Sequence, residues 1–439
     1  MNRTLSRLWW RRYISRGALP WEILDRFPAF SPGEQKLELA RRLHAQIRYF
    51  GAREDALPEW REAARIEDPL ELWKLWPSLP VVTRDVLRSR FEPAEIQRRF
   101  HLEGRVDSTG GSTGEPTRFF FDRKMILASN SADIYSRLKM GWRPGMPTIF
   151  VWGAERDIGK SVPWRIRLHH ALVNEFPVAG YNLTSQTVER VVQLIRKRRP
   201  VALYGFTSML DYVARGVLDA CGPVDGVVTA WNGGEMLFDD QRERFHRAFG
   251  IPLRNRYGGR ELACIAAEYE PGGPLAILRP WVFLEIVDDQ GKPVPTGESG
   301  RILCTSTVCR GTPFLRYEVG DTGAADVRST TESGIAALAR LEGRVSGIML
   351  LPDGRRINAL FWNHFFKDFS EVVQFQVVIV AESRLELLLQ GAGMSPQRSA
   401  DLTARLRNFL GNTPFAIRWV DSIPRTARGK LVQVVRSPS

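Results

Sequence analysis

The sequence predicts an α/β protein made of one large and one small domain, and three observations support this prediction. The chain has 439 residues, more than an ordinary single domain. Short apolar strands alternate with helices between residues 119 and 231, as in a largely parallel sheet. Near the C-terminus, strand patterns over 372–390 and a helix over 396–411 indicate a compact α+β unit.

Residues 1–106 are predicted to be mainly helical. Ser31 and Glu34 stand at the spacing of a capping box, and apolar residues then recur at helical intervals as far as Phe50. The segment 79–87 is expected to turn from a short strand into a second capped helix.

Strands and helices then alternate in the large domain. Strands are predicted at 119–121, 148–152, 200–205 and 226–231, and helices at 124–141, 188–199 and 206–221. Ligands of parallel sheets bind beyond the carboxyl ends of the strands. Polar or glycine-containing clusters mark three strand ends, where we expect the ligand site: Tyr204-Gly205, Trp231 to Glu235 and Tyr257 to Glu261. A further β-rich segment is predicted over 279–287 and 297–304.

The composition is that of a soluble globular protein, with 44% apolar and 25% charged residues. No apolar run reaches the roughly eighteen residues that a membrane-spanning helix needs. Four scattered cysteines without paired spacing favour reduced thiols and a cytoplasmic location.

The net charge of +13 favours contact with anions, such as nucleotides, CoA, nucleic acid or an anionic membrane. The dense basic run Arg196 to Arg199 closes a predicted helix, where cations suit the C-terminal end. No nucleic-acid-binding signature accompanies this run, so no nucleic-acid partner is expected. Trp9, Trp10 and the N-terminal arginines leave a weaker alternative open, peripheral contact with a membrane surface.

The most distinctive stretch is Asp107 to Thr117, which is rich in glycine and hydroxyl residues. Glycines let successive backbone N–H groups converge on one anion. The stretch lacks both the Gly-Lys-Ser/Thr of a Walker loop and the Gly-x-Gly-x-x-Gly of a dinucleotide-binding turn. We interpret it as a loop that binds a polyphosphate, with a flexible surface turn as the alternative.

This loop resembles the phosphate-binding loop of the adenylate-forming superfamily, which includes acyl- and aryl-CoA ligases, luciferases and the adenylation domains of peptide synthetases. The resemblance implies a large, multi-layered N-terminal domain with mainly parallel sheets and a small, mobile C-terminal domain, here 1–342 and 343–439. It also implies that ATP and AMP are contacted by Ser108, Thr109, Gly110, Gly111, Ser112, Thr113 and Gly114.

Further motifs follow in the superfamily's order. Residues 255–261 resemble its Tyr-Gly-x-Thr/Ser-Glu motif, which implies that Tyr257 packs against adenine and that Glu261 binds Mg²⁺. Arg260 departs from the motif, because the superfamily has Thr or Ser there, and an arginine is suited to clamping the α-phosphate. A further resemblance is to the superfamily's segment on the adenine side of the nucleotide site, and it involves Gly233, Gly234 and Glu235.

Residues 312–322 resemble the superfamily's Pro-x-Ile-Arg-Tyr-x-Thr-Gly-Asp motif. The resemblance implies that Asp321 holds the ribose hydroxyls, a role that suits a carboxylate because it can accept two O–H bonds. Arg316 and Tyr317 are expected to brace this aspartate.

The C-terminal region resembles the superfamily's hinge and its catalytic-lysine loop. Arg344 matches the hinge arginine and is implied in nucleotide binding, whereas Ser346 and Gly347 stand where the hinge acids are expected. Residues 423–431 resemble the lysine loop, which implies that Lys430 stabilises the charge that develops between the carboxylate and the α-phosphate.

The resemblance is nearest to the phenylacetate–CoA ligase branch and its relatives in capsular polysaccharide biosynthesis. It implies ATP- and Mg²⁺-dependent adenylation of a carboxylic acid by Lys430, Glu261 and Arg260, and then acyl transfer, most commonly to CoA. Two alternatives remain open: an amine or hydroxyl acceptor, and a non-catalytic nucleotide-binding protein.

Two smaller expectations concern zinc and the acid. Residues 267–275 lack the cysteines and histidines often found in that branch, so no zinc is expected. The strand ends of the relatives imply an acid pocket lined by Tyr204, Gly205, Phe206, Trp231, Gly258 and Gly259.

Overall fold

The computed structural model describes residues 9–10, 21–108, 117–152, 163–179, 183–343, 348–351, 356–358, 361–362, 365–380, 384–423 and 433–436. Three predicted features lie outside these residues: the glycine loop 109–116, the hinge residues 344–347 and Lys430. The described part is a mixed α/β fold, as predicted. None of its helices is long and apolar enough to cross a membrane.

The N-terminal region is helical, as predicted. Its helices are α1 (Glu22–Arg26), α2 (Pro32–Gly51), α3 (Pro58–Ala63), α4 (Pro69–Leu75), α5 (Arg84–Arg90) and α6 (Pro93–Phe100). The capping box is present, because the Glu34 amide donates to Ser31 Oγ at 3.3 Å and the Ser31 amide donates to Glu34 Oε2 at 2.8 Å. The apolar face of α2 is buried in the large core through Leu39, Leu43 and Ile47.

A hairpin and the first part of the α/β region follow. The hairpin consists of β1 (Gly104–Ser108) and β2 (Arg118–Asp122), and a long helix, α7 (Arg123–Lys139), begins directly after it. The next elements are β3 (Thr148–Val151), α8 (Trp164–Val173), β4 (Glu175–Val178), α9 (Ser185–Arg198), β5 (Val201–Gly205), α10 (Thr207–Cys221), β6 (Val227–Asn232) and α11 (Asp239–Phe249).

The parallel sheet has four strands in the order β4-β3-β5-β6. Its central strands are apolar on both faces because helices cover them, and Val201, Ala202 and Leu203 are fully buried. Tyr204-Gly205 and Trp231-Asn232 lie side by side at the carboxyl ends of β5 and β6, as the sequence predicts.

The predicted β-rich segment is part of the largest sheet, which is antiparallel. Its seven strands have the order β10-β11-β12-β15-β9-β8-β7. They are β7 (Arg256–Gly259), β8 (Ala263–Glu268), β9 (Leu275–Ile277), β10 (Val282–Val287), β11 (Ser299–Ser306), β12 (Tyr317–Ala325) and β15 (Ala337–Gly343), with a small hairpin of β13 (Thr330–Thr331) and β14 (Gly334–Ile335). The short connections between β7 and β8 and between β8 and β9 require antiparallel pairing, whereas β9 pairs with the distant strand β15.

The third glycine cluster therefore lies in a different place from the other two. The chain pairs in parallel with β6 at a single bridge, Trp231–Arg254, and then crosses to the antiparallel sheet. There, residues 257–261 form the end of the β7–β8 hairpin rather than the end of a parallel strand.

The C-terminal region has a hairpin of β16 (Ile348–Leu350) and β17 (Arg356–Asn358) and a second sheet. This sheet has the order β20-β19-β18-β21, formed by β18 (Val372–Val380), β19 (Arg384–Gly391), β20 (Phe415–Trp419) and β21 (Val434–Arg436), with α12 (Pro396–Leu410). Its apolar residues, including Leu387 and Leu406, belong to the same buried cluster as those around the parallel sheet. The division into domains 1–342 and 343–439 stays a prediction.

Arg316 has a structural role, which corrects the expectation that it braces Asp321. Its side chain is 2% exposed and its Nε donates to Glu285 at 3.1 Å. Its remaining nitrogens donate to the carbonyl oxygens of Leu79 and Gly291. The arginine thus ties the helical N-terminal region to β10 and to the β10–β11 connection.

Arg316→Met is expected to lower the free energy of unfolding by about 3–5 kcal/mol, because it leaves the Glu285 carboxylate buried without its cation. Urea unfolding followed by circular dichroism measures this loss. Arg418→Met is the matched control, since it breaks an exposed pair with Glu386 at 2.7 Å and should cost less than about 1 kcal/mol. Equal losses in the two variants would contradict this role for the buried pair.

Candidate active site

The two ends of the predicted phosphate loop are fixed by the β1–β2 hairpin. Ser108 pairs with Arg118 across the hairpin, so residues 109–117 must connect two neighbouring strands. The hairpin is fastened to the body of the protein by Asp122, whose Oδ2 accepts the amides of Arg310 at 2.6 Å and Gly311 at 2.9 Å. Although 109–116 lie outside the described residues, the structure does place the base of this loop.

Arg260 brings the second motif to the base of the loop. Its Nη1 donates to the backbone oxygen of Ser108 at 3.1 Å, although the two residues are far apart in sequence. The hairpin that carries Arg260 is tight, because a Cβ on Gly258 would stand 2.0 Å from the oxygen of Ala263. Glycine is therefore required at 258 for the chain to turn there.

The two carboxylates predicted to contact ribose and Mg²⁺ are each held by a tyrosine. Tyr257 Oη donates to Asp321 Oδ2 at 3.0 Å. Tyr317 Oη donates to Glu261 Oε1 at 3.2 Å. Asp321 is therefore braced by Tyr257. Tyr317, which was expected to brace Asp321, contacts Glu261.

Arg84 is a site residue that the sequence analysis did not single out. Its Nη2 lies 3.7 Å from Glu261 Oε1 and donates to the backbone oxygen of Val319 at 3.2 Å. The arginine begins α5, directly after the bend predicted at 79–87. Its only sequence signal was a basic residue after Thr83, which acts as the cap of this helix.

The Gly233-Gly234-Glu235 turn is shaped by its neighbours. Gly234 has a φ of +75°, and a Cβ there would stand 2.5 Å from the Phe206 ring. Glu235 turns inward, where its carboxylate accepts the Ser208 amide at 2.7 Å and the Ser208 hydroxyl at 3.1 Å. The carboxylate therefore lies at the start of α10, where the helix dipole favours negative charge.

Burial raises the pKa of Glu235 to about 7, although the bonds from Ser208 favour its ionised form. The carboxyl group thus stays protonated in the folded protein at pH values where it ionises in the unfolded chain.

Three residues predicted to line the acid pocket belong to a group of stacked aromatic rings: Tyr204, Phe206 and Trp231. Tyr204 stacks on Phe150 with ring centroids 5.1 Å apart and on Trp231 at 5.5 Å. Trp231 and Phe206 are buried, whereas Tyr204 is partly exposed. Of Tyr204, Phe206 and Trp231, only Tyr204 reaches the surface. The lining of the acid pocket stays a prediction.

Glu261 is chemically suited to Mg²⁺, which usually binds through one or two carboxylates together with substrate phosphates and water. Arg84 shares this carboxylate, so its cation lies beside the predicted metal position. Among the described residues there is no group of three or more His, Cys, Asp or Glu side chains that could hold a metal ion.

No protein-family model matches the chain. Protein CapK of Staphylococcus aureus is 25% identical over 249 residues, which are 55% of this chain and 52% of CapK. A phenylacetate–coenzyme A ligase of Thermus thermophilus is 26% identical over 258 residues, 56% of this chain and 55% of the ligase. The matched part thus spans about half the length of these curated relatives.

Solved structures of a 2-hydroxyisobutyryl-CoA ligase share the fold. One, bound to an acyl-AMP and CoA in its thioester-forming state, has a TM-score of 0.59 at 18% identity and covers 94% of this chain and 91% of that one. Another, in the post-adenylation state, has a TM-score of 0.54 at 18% identity and covers 92% of this chain and 90% of that one.

The chain is similar to adenylate-forming ligases in sequence and in fold. The resemblance read from its motifs is thereby confirmed, on the phenylacetate–CoA ligase-like side of the superfamily. The roles carried over to individual residues of this chain stay predictions.

The pKa of Glu235 predicts how stability depends on pH. Between about pH 5 and 7 the unfolded chain loses this proton while the folded protein keeps it, so the contribution of this group to stability falls as pH rises. Glu235→Gln removes the titration, and its stability relative to the wild type should rise by about 2 kcal/mol across this interval. Urea unfolding at a series of pH values measures the difference, and a pH-independent difference would contradict the raised pKa.

Proposed function

We propose that this protein activates a carboxylic acid with ATP, forming an acyl-adenylate and pyrophosphate. The observation that supports this most directly is the convergence of three motifs on one site: Arg260 contacts Ser108 at the base of the loop, and Glu261 and Asp321 are held by tyrosines beside it. The contact between Arg260 and Ser108 spans 152 residues of sequence and that between Tyr257 and Asp321 spans 64, so the convergence of the motifs is a property of the fold.

In the proposed reaction an oxygen of the substrate carboxylate attacks the α-phosphorus of ATP. The bond between the α-phosphorus and the oxygen bridging to the β-phosphate breaks, and pyrophosphate leaves with that electron pair. No covalent bond to the enzyme is needed, so catalysis depends on positioning and on neutralising charge.

The residues have separate roles in this proposal. Asp321 holds the ribose hydroxyls, and Tyr257 packs against adenine while orienting Asp321. Arg260, next to Ser108, contacts the α-phosphate in place of the usual hydroxyl residue. Lys430 and the loop 109–116 neutralise charge on the phosphates.

A magnesium ion, which would supply charge neutralisation on the phosphates, is assigned to Glu261. Tyr317 orients this carboxylate through its hydroxyl, and Arg84 limits the negative charge on it in the absence of nucleotide. Removing magnesium with a chelator should therefore abolish turnover.

The acyl acceptor is proposed to be CoA, after the phenylacetate–coenzyme A ligase among the relatives. An amine or hydroxyl acceptor in polysaccharide or natural-product biosynthesis is the alternative, which the name of CapK favours. Cytoplasmic location, Arg344 as a nucleotide contact and Ser346-Gly347 as the hinge remain part of the proposal.

ATP- and acid-dependent pyrophosphate release tests the reaction. A panel of aryl, short-chain and hydroxy acids is assayed with hydroxylamine as a trap, and Lys430→Ala is expected to slow release by about a hundredfold or more because it removes a cation from the transition state. Lys292→Ala, at an exposed lysine on the β10–β11 connection, is the matched control and should leave the rate unchanged. Measurable ATP binding without release for any acid would instead support a non-catalytic nucleotide-binding protein, which the Arg260 departure favours.

Asp321→Asn is expected to weaken ATP binding about tenfold, since it removes the charged acceptor for the ribose hydroxyls. Tyr257→Phe should have a smaller effect of the same kind, because it only releases the aspartate. Isothermal titration with ATP measures both. Unchanged affinity in Asp321→Asn would contradict the ribose assignment without bearing on Lys430.

A further inference from the structure

Helix α8 presents apolar and basic side chains to solvent. Trp164, Ile166 and Leu168 are 67%, 45% and 48% exposed. At 100° per residue Trp164 and Leu168 lie 40° apart on one side of the helix, and Ile166 lies on the opposite side, so α8 is exposed on more than one face over most of its length. Val173, at its C-terminal end, is the residue of α8 that is buried. Exposed apolar side chains grouped in this way mark a surface that another molecule covers.

Positive charge surrounds these apolar side chains. Arg165 and Arg167 alternate with them along α8 and are exposed. The neighbouring strand β4 carries Phe176, and the Arg198 guanidinium lies 4.8 Å from its ring. The basic run at the end of α9, which the candidate active site does not use, is thus next to the same sheet edge as α8.

The N-terminal segment reaches this place as well. Trp10 is buried and its Nε1 donates to the backbone oxygen of Val173 at 3.2 Å. The Trp9 ring packs edge-to-face on His169, with centroids 5.3 Å apart. In the sequence these tryptophans are flanked by Arg3, Arg7, Arg11 and Arg12. Trp9 and Trp10 therefore lie against α8, and Arg198 lies against the adjoining strand β4.

We propose that α8 docks this protein on the surface of a membrane that contains anionic lipids. Trp, Ile and Leu side chains favour the boundary between headgroups and acyl chains, and arginines are attracted to anionic headgroups. A second copy of the chain fits this surface less well, because a two-fold contact would bring Arg165 and Arg167 close to their own copies. A nucleic acid would bind the arginines through its phosphates but would leave the apolar side chains exposed to water.

Flotation of the full-length protein with vesicles tests the proposal, comparing phosphatidylcholine alone with an equal mixture of phosphatidylcholine and phosphatidylglycerol. The wild type is expected to float with the mixed vesicles only. Arg165→Glu/Arg167→Glu and Trp164→Ser/Leu168→Ser should each lower the bound fraction at least about tenfold. Arg247→Glu/Arg407→Glu is the matched control, since it makes the same charge change at two exposed arginines of α11 and α12.

Three results would overturn the proposal: no flotation of the wild type with either vesicle, equal loss in the control, or a change from dimer to monomer in the α8 variants without vesicles. Circular dichroism of each variant establishes that it is folded. Pyrophosphate release without vesicles should be equal in all variants, so the outcome does not depend on the proposed function.

Discussion

The buried side chain of Asn232 fixes the relative positions of three segments of the candidate site. Its Nδ2 donates to Thr207 Oγ1 at 2.8 Å and to the Glu235 carbonyl oxygen at 3.1 Å, and its Oδ1 accepts the Arg256 amide at 2.9 Å. Because the residue is fully buried, any of these bonds that is broken leaves a polar group without water. The start of α10, the 233–235 turn and the start of β7 therefore hold one geometry, and the parallel sheet is joined there to the antiparallel one.

The same junction explains part of the high arginine content. Arg137 and Arg256 both pair with Asp133, at 2.8 Å and 3.0 Å, between α7 and the two sheets. Arg316 pairs with Glu285 in the core. These arginines are largely buried, so part of the positive charge of the chain lies inside the protein and not on its surface. The charge left at the surface includes Arg165 and Arg167 of α8.

Much of the fold could be predicted from the sequence. The strands and helices of the parallel sheet, the capping box at Ser31 and the strand ends at Tyr204 and Trp231 follow from periodicity and turn residues, which act locally. The size of the antiparallel sheet could not be predicted, because strand pairing depends on contacts between distant segments. For the same reason the hairpin around Gly258 was expected at the end of a parallel strand.

The sequence by itself determined which chemical groups this protein carries: a glycine-rich loop, the carboxylates of Glu261 and Asp321, and Lys430 near the C-terminus. Their order along the chain indicates an adenylate-forming protein. Only the tertiary structure decided how those groups are held. It assigned Tyr257 to Asp321, Tyr317 to Glu261 and Arg316 to the core, and it brought Arg84 to the site. Side-chain pairing across long sequence separations is set by packing, and no local pattern of residues records it.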